Sequence, residues 1–297
     1  MQRLTFTLEP VDGPFPVPYS TGYQAYSGLL SVLSDEDETL AEAVHEADTS
    51  SLTNSGLHGP FDPRGADREY HQLLRDDEYT LHLGATHPQD EELFEALVRA
   101  FVIQDRHLPL AHGELAVRSV QSESTTIPEL REEAAAAAND ATGVQLQFLS
   151  PTCIQQHADV WEAFPSRTYL FPAIAARWNA VADNPEHELD PAPDTVGQEL
   201  YAVPDPNAYN HHSIVVHRQD PSTASAEDGQ AVADGGGNHI RECQGFVGEW
   251  TFRFKDASTA TRTAVIALSR FAEYSGVGRH NARGAGTVRT TVEGIDS

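Results

Sequence analysis

Lysine is nearly missing from this 297-residue chain. Of 19 basic residues only Lys255 is a lysine, against 45 acidic residues and a formal net charge of −26. A broad lysine-rich patch is therefore excluded as a means of holding a polyanion. Cysteine is almost as scarce. Cys153 and Cys243 stand ninety residues apart, so no disulfide framework is expected; the two could pair, but reduced thiols are the expectation. Neither belongs to a CxxC pair, and His211-His212 have no zinc-like partners nearby, so no metal and no small-molecule cofactor is expected. No apolar run reaches the ~18 residues that would predict a membrane span. The opening MQRLTFTLEP has no apolar signal core, which predicts a cytoplasmic protein.

The acidic residues that are present form a dense carboxylate complement of the kind that keeps a protein hydrated in a salt-saturated cytoplasm, which predicts a halophilic source. Hydrophobic content of 39% and well-formed periodic segments exclude a disordered acidic chain. The charge is uneven. Residues 241–297 carry seven arginines and Lys255 against six acidic residues, a local excess of positive charge in an otherwise strongly negative chain. That asymmetry marks the C-terminal segment as the side that meets an anion.

Periodicity predicts an α+β fold built twice. In the first half, Leu4-Phe6-Leu8 alternate as a strand, and Tyr26, Leu29, Leu30 and Leu33 share one helix face. An acidic N-terminus (Asp35 to Glu38) opens a second helix through Leu40, Ala43, Val44 and Ala47, with His45 beside its apolar stripe. Strands follow at Leu52–Leu57 and Tyr79-Leu81-Leu83, then a helix with Leu93, Leu97 and Phe101, and a closing strand through Leu115, Val117 and Val120. The alanine-rich segment Glu129–Thr142 is a boundary or linking helix. The succession then recurs. Val144-Leu146-Phe148 alternate, Tyr169–Ala182 reads as a helix, and Ile214–Val216 and Trp250-Phe252-Phe254 read as strands. Ser258 caps a helix carrying Ala264, Leu268 and Phe271, and Gly286–Val292 is a last strand. This order is compatible with a ferredoxin-like arrangement present in two tandem copies, over residues 1–125 and 126–297. The proline- and acid-rich segment Asn184–Pro206 and the low-complexity Pro221–Gly237 read as surface insertions.

One stretch departs from the acidic background: Tyr274-Ser275-Gly276-Val277-Gly278-Arg279-His280-Asn281-Ala282-Arg283-Gly284-Ala285-Gly286. Glycine permits positive φ and close ligand approach, and successive amides in such a loop can cradle phosphate oxygens. It follows a helix and precedes a strand, the reverse of a P-loop or Rossmann turn.

This loop resembles the glycine-rich signature of the CRISPR-associated endoribonucleases that cut repeat RNA, the sixth Cas family of the repeat-associated mysterious protein superfamily. Phe148-Leu149-Ser150-Pro151-Thr152 is similar to the family's strand-end element, and Phe164-Pro165, Phe171 and Arg177-Trp178-Asn179 to its next block. Gly245-Phe246-Val247-Gly248, Val17-Pro18-Tyr19, Val44-His45-Glu46 and Leu52-Thr53-Asn54-Ser55 complete an ordered set over most of the chain. The resemblance implies tandem ferredoxin-like domains and metal-independent cleavage of repeat RNA. The substrate's own 2′-hydroxyl would attack, leaving a 2′,3′-cyclic phosphate. It implies His45 as the catalytic histidine, acting as acid or base; without it, an isolated histidine on an acidic helix reads as a solvated surface residue. His58 and His280 are the alternative proton carriers. It also implies RNA contacts by Gly276, Gly278, Arg279, His280, Arg283, Gly284 and Gly286, with the amides near Gly278 and Gly284 weighted over the arginines in high salt. Other subunits of a CRISPR interference complex are implied partners. Ser31 and Ser51 stand where some members carry a tyrosine and a lysine, which leaves open a non-catalytic RNA-binding subunit. With Debye screening within about 3 Å at molar salt, direct hydrogen bonds and stacking must carry binding. A plot of log affinity for repeat RNA against log salt concentration is expected to be shallow, and a steep slope would indicate many neutralised phosphates.

Overall fold

The computed structural model describes residues 1–46, 52–63, 70–73, 77–87, 90–157, 160–162, 164–219, 232–233 and 239–295. In the first half, β1 (Gln2–Pro10) and the short β2 (Pro16–Pro18) precede α1 (Gly22–Glu36) and α2 (Glu38–Glu46). Then come β3 (Leu52–His58), β4 (Phe61–Pro63), β5 (Tyr70–Leu73), β6 (Tyr79–Ala85), α3 (Glu91–Val98), β7 (Leu108–Leu110) and β8 (Gly113–Ser124). β3, β6, β1 and β8 form one antiparallel sheet in that order, with β7 added at its edge beside β8. Counted within the unit, the order from β8 inward is fourth, first, third, second, which is the ferredoxin-like arrangement.

The second half repeats it. α4 (Ile127–Ala137) leads to β9 (Gly143–Thr152), a small hairpin of β10 (Gln155–His157) and β11 (Val160–Trp161), α5 (Arg167–Val181) and α6 (Pro193–Glu199). Then follow β12 (Leu200–Gln219), β13 (Val232–Ala233), β14 (His239–Phe254), α7 (Thr259–Ser275) and β15 (Val288–Glu293). The sheet order β12-β14-β9-β15 is again second, third, first, fourth within the unit, and all its pairs are antiparallel. The chain is thus two tandem ferredoxin-like units.

Each unit closes over its own core because one face of each sheet is apolar. Leu4, Phe6 and Leu8 of β1 are at most 2% exposed and pack with Leu29, Leu33, Leu81, Leu97 and Phe101. Val144, Leu146 and Phe148 of β9 pack with Phe171, Trp178, Phe252, Leu268 and Phe271, while Gln145 and Gln147 point to the other face. The boundaries of α4 and α7 follow local chemistry. Thr126 and Glu129 make a reciprocal capping box, and Ser258 Oγ accepts from Thr261 N–H. Among the described residues no helix is long and apolar enough to cross a membrane.

Asn184–Pro206, expected to be a surface insertion, is instead built into the second unit. It holds a 3₁₀ turn (Pro185–His187), α6 and the first third of the β12–β14 hairpin. Polar side chains of α5 hold its backbone: Trp178 Nε1 donates to His187 O at 2.7 Å, and the Asn179 amide bonds Leu189 both ways. Val196, within it, is fully buried. Of Pro221–Gly237, only Val232 and Ala233 fall within the described residues, paired with β14. The two cysteines are free, buried and packed together with Ile214 and Ala285; mutual hydrogen bonding, then burial, pushes the Cys153 thiol well above its ordinary pKa.

The units meet backbone to backbone. A Cβ on Gly22, at the start of α1, would lie 2.2 Å from Gly284 Cα, and one on Gly284 would lie 2.3 Å from Gly22 Cα. No side-chain rearrangement relieves such a clash. Gly22→Ala should therefore cost about 1–3 kcal/mol and lower the melting midpoint by several degrees. Gly197→Ala in α6, where the nearest atom is 3.4 Å away, should not; calorimetry on both variants checks this.

Candidate functional site

The glycine stretch is a folded knot between the units, not an open cradle. α7 ends at Gly276, whose φ of 64° is open to glycine at no cost. From there the loop folds back onto the strand end it was grouped with by sequence. Val277 N–H donates to Gly286 O at 2.8 Å, Arg279 N–H to Cys153 O at 2.9 Å, and Gly286 N–H to Pro151 O at 3.0 Å. Thr287 N–H donates to Ser150 Oγ at 2.9 Å. A 3₁₀ turn, Asn281–Arg283, fills the middle, with Arg283 and Ala285 both donating to His280 O.

Several of the loop amides are engaged within the protein. Gly276, Val277, Arg279, Gly284 and Gly286 already donate within the protein, Gly284 to Asn281 O at 3.2 Å. Gly278 comes so close to the backbone of Cys153 that a Cβ would lie 2.3 Å from its carbonyl oxygen. The glycines allow close packing of main chain on main chain, an arrangement that composition alone does not distinguish from a phosphate nest.

The knot is held from both sides by buried polar side chains. From the first unit, Asn54 Nδ2 on β3 donates to Gly22 O at 2.9 Å and Ala282 O at 2.8 Å, while its Oδ1 accepts from Gly56 N–H at 2.6 Å. Thr53 Oγ1 reaches Tyr274 O at 3.3 Å, and Asn54 O accepts from Thr287 Oγ1. From the second unit, Arg177 of α5 donates to Asn281 Oδ1 at 2.9 Å and Gly278 O at 3.3 Å. Burial pulls the Arg177 pKa down to about 10, which leaves it charged at neutral pH. Asn54, Arg177 and Asn281 were visible in the sequence only as members of family-like blocks. Their shared task requires three-dimensional proximity of segments far apart in the chain.

His45 lies on α2, which packs on α1, and α1 in turn meets the 3₁₀ turn of the knot. The His45 side chain and Ser51 lie outside the described residues, as does Ala47. Ser31 is exposed on α1, whereas Tyr26 points into the first core. Within the knot Arg279 is exposed, and His280 and Arg283 are half-buried. His280 adopts φ 64°, and its ring lies 6.3 Å from that of Trp161.

His58, the other alternative proton carrier, ends β3 and faces His82 of β6 at 6.0 Å between rings. His82 Nδ1 lies 3.0 Å from Thr5 Oγ1. Burial first, then the charges of His58, Arg3 and Arg289, hold the His82 pKa at about 4. Burial and Arg289 also lower that of His58, against an opposing hydrogen bond from Ser55. Both shifts favour the neutral imidazole, the form in which a histidine accepts a proton.

Comparison with known proteins adds to this geometry. Residues 146–288 match the family model described as CRISPR-associated endoribonuclease Cas6. A Thermus thermophilus Cas6 in a product complex is 20% identical, with 98% of this chain and 99% of that one aligned at a TM-score of 0.66. A second structure of that protein gives 19% identity, 98% coverage of both chains and a TM-score of 0.63. The product of a Cas6-related gene from Pyrococcus furiosus is 11% identical over 98% of both chains, with a TM-score of 0.59. At such identities the likeness speaks for the fold. No curated protein matches the chain in sequence.

The histidine pair sets a pH dependence. The unfolded chain protonates these imidazoles near pH 6.5, while folded His82 resists until about pH 4. Between those limits the unfolded state binds more protons, so their contribution to stability falls as pH falls through that window. His82→Gln should be less sensitive to that fall than the wild type; melting curves from pH 7 to pH 4 would show it.

Proposed function

We infer that the chain is a Cas6-type endoribonuclease that cuts CRISPR repeat RNA. The observation that carries this reading is the match of residues 146–288 to the Cas6 family model. That span includes the Phe148–Thr152 strand end, Arg177 and the glycine loop, which converge in one hydrogen-bonded knot. The division of labour follows the two units, with His45 in residues 1–125 and the RNA-holding loop in residues 126–297. The proteins whose structures it resembles include a Cas6 in a product complex, which supports a role in RNA processing.

The reaction we propose is internal transesterification. The 2′-oxygen beside the scissile phosphate attacks phosphorus, and the bond from phosphorus to the 5′-oxygen breaks. The products are a 2′,3′-cyclic phosphate and a 5′-hydroxyl. One proton leaves the 2′-hydroxyl to a base and one reaches the departing 5′-oxygen from an acid. His45 performs one of these transfers, a role suited to an imidazole titrating near neutrality. Nucleophile, acid and base complete the scheme, so cleavage is expected to persist in a chelator. Other subunits of an interference complex are proposed to receive the cut RNA with this protein.

The test is an incubation of labelled repeat RNA with wild type and His45→Ala in chelator and high salt. Loss of one proton-transfer group should slow cleavage by roughly 100-fold or more while RNA binding persists. Cleavage at the native rate by His45→Ala would remove this residue from the mechanism. Binding by the wild type without a cyclic-phosphate product would instead make the chain a non-catalytic RNA-binding subunit.

A further inference from the structure

Trp161 and His280 are brought together by two otherwise separate features. The hairpin of β10 and β11 pairs Gln155 with Trp161 and His157 with Val160, and Ile154 O accepts from Glu162 N–H at 2.8 Å. This ties the hairpin to the segment just after β9, whose Cys153 carbonyl receives Arg279 N–H from the glycine knot. The indole of Trp161 and the imidazole of His280 then lie 6.3 Å apart with their planes at 35°, both half-buried. Arg279, next to His280, is exposed, and Phe164, three residues beyond Trp161, is 54% exposed. The second unit thus carries a ring pair with an exposed arginine next to one member in sequence and an exposed phenylalanine three residues past the other.

The backbone at His280 gives a second reason to look here. Wherever else residues 276–286 take positive φ, at positions 276, 278, 284 and 286, the residue is glycine. Position 280 has φ 64° and carries histidine. A side chain held in that region is strained relative to glycine, and such strain clusters where the side chain has work to do. The imidazole lies beside the Trp161 ring.

Electrostatics favours the same conclusion. A chain of net charge −26 repels RNA at long range, and salt that screens the repulsion also screens attraction to arginine. Stacking of bases on aromatic faces survives such conditions and is indifferent to sequence. We propose that Trp161, leaning on His280, is a stacking step that receives an unpaired base of the RNA, with Arg279 beside it for the adjoining phosphate. This rests on the RNA-processing reading above and names the part of the substrate that the knot meets: single-stranded rather than paired nucleotides.

Intrinsic fluorescence tests it directly, because the other two tryptophans report elsewhere. Trp178 is fully buried in the second core, and Trp250 packs against Tyr209. Titration with repeat RNA and with an unstructured oligouridylate should quench the wild type, and Trp161→Phe should lose the quench while keeping affinity within a few-fold. Trp161→Ala should bind either RNA roughly 10- to 100-fold more weakly, the range for loss of one base stack. His280→Gly should weaken binding too, without lowering the melting midpoint, a combination that a purely structural histidine would not give. If RNA binds without quenching and Trp161→Ala binds like the wild type, the stacking step is wrong and the RNA reading stands. If the wild type binds neither RNA, that reading fails and this inference with it.

Discussion

The structure depends on two polypeptide backbones approaching more closely than any side chain allows. Gly22 begins the first helix and Gly284 closes the 3₁₀ turn of the loop, and each occupies the space where the other's Cβ would stand. Burying so much main chain requires that its polar groups find partners, since an unpaired buried amide or carbonyl costs on the order of 1–3 kcal/mol. Asn54 answers for the first unit, with two donors and an acceptor engaged. Arg177, through Asn281, answers for the second. The glycines and the polar residues are thus one device: the former permit contact, the latter satisfy it.

That device changes what the loop can offer a ligand. With most described loop amides engaged inward, what faces outward is side-chain chemistry: the Arg279 guanidinium, the His280 ring and the neighbouring aromatics. In a chain of this net charge, contacts by planar groups and short-range hydrogen bonds keep their strength in salt where diffuse attraction does not. The arginine-for-lysine bias is consistent with this, because a guanidinium stacks and forks where an ammonium acts as a point charge.

The sheets were legible in the sequence because burial of one face imposes a period of two. Leu4-Phe6-Leu8 and Val144-Leu146-Phe148 alternate as the core demands, and Ser258 announces α7 through a purely local hydrogen bond. The 20-residue β12 was legible only at Ile214–Val216, since Pro204, Asp205 and their neighbours carry strand-breaking chemistry and pairing shifts register between Pro204 and Tyr209. Asn184–Glu199 was misread because its order comes from Trp178 and Asn179 of the preceding helix rather than from its own composition. The knot was half-legible. Its glycines stand out, but which carbonyl each amide meets is a property of distant backbone, and backbone groups leave no mark on residue type.

The bond from Asn54 to Ala282 spans 228 positions of sequence and also fixes an order of events. β1, α1, β3 and β6 leave the ribosome long before the loop exists, and the first core can condense around them. Asn54 on β3, an edge strand, then has only Gly22 and Gly56 to bond until the segment carrying Ala282 arrives. The first unit therefore carries, for most of its synthesis, a vacant mould of the second unit's final segment. Asn54 thus reaches its full set of partners only when the segment carrying the Ala282 carbonyl is in place.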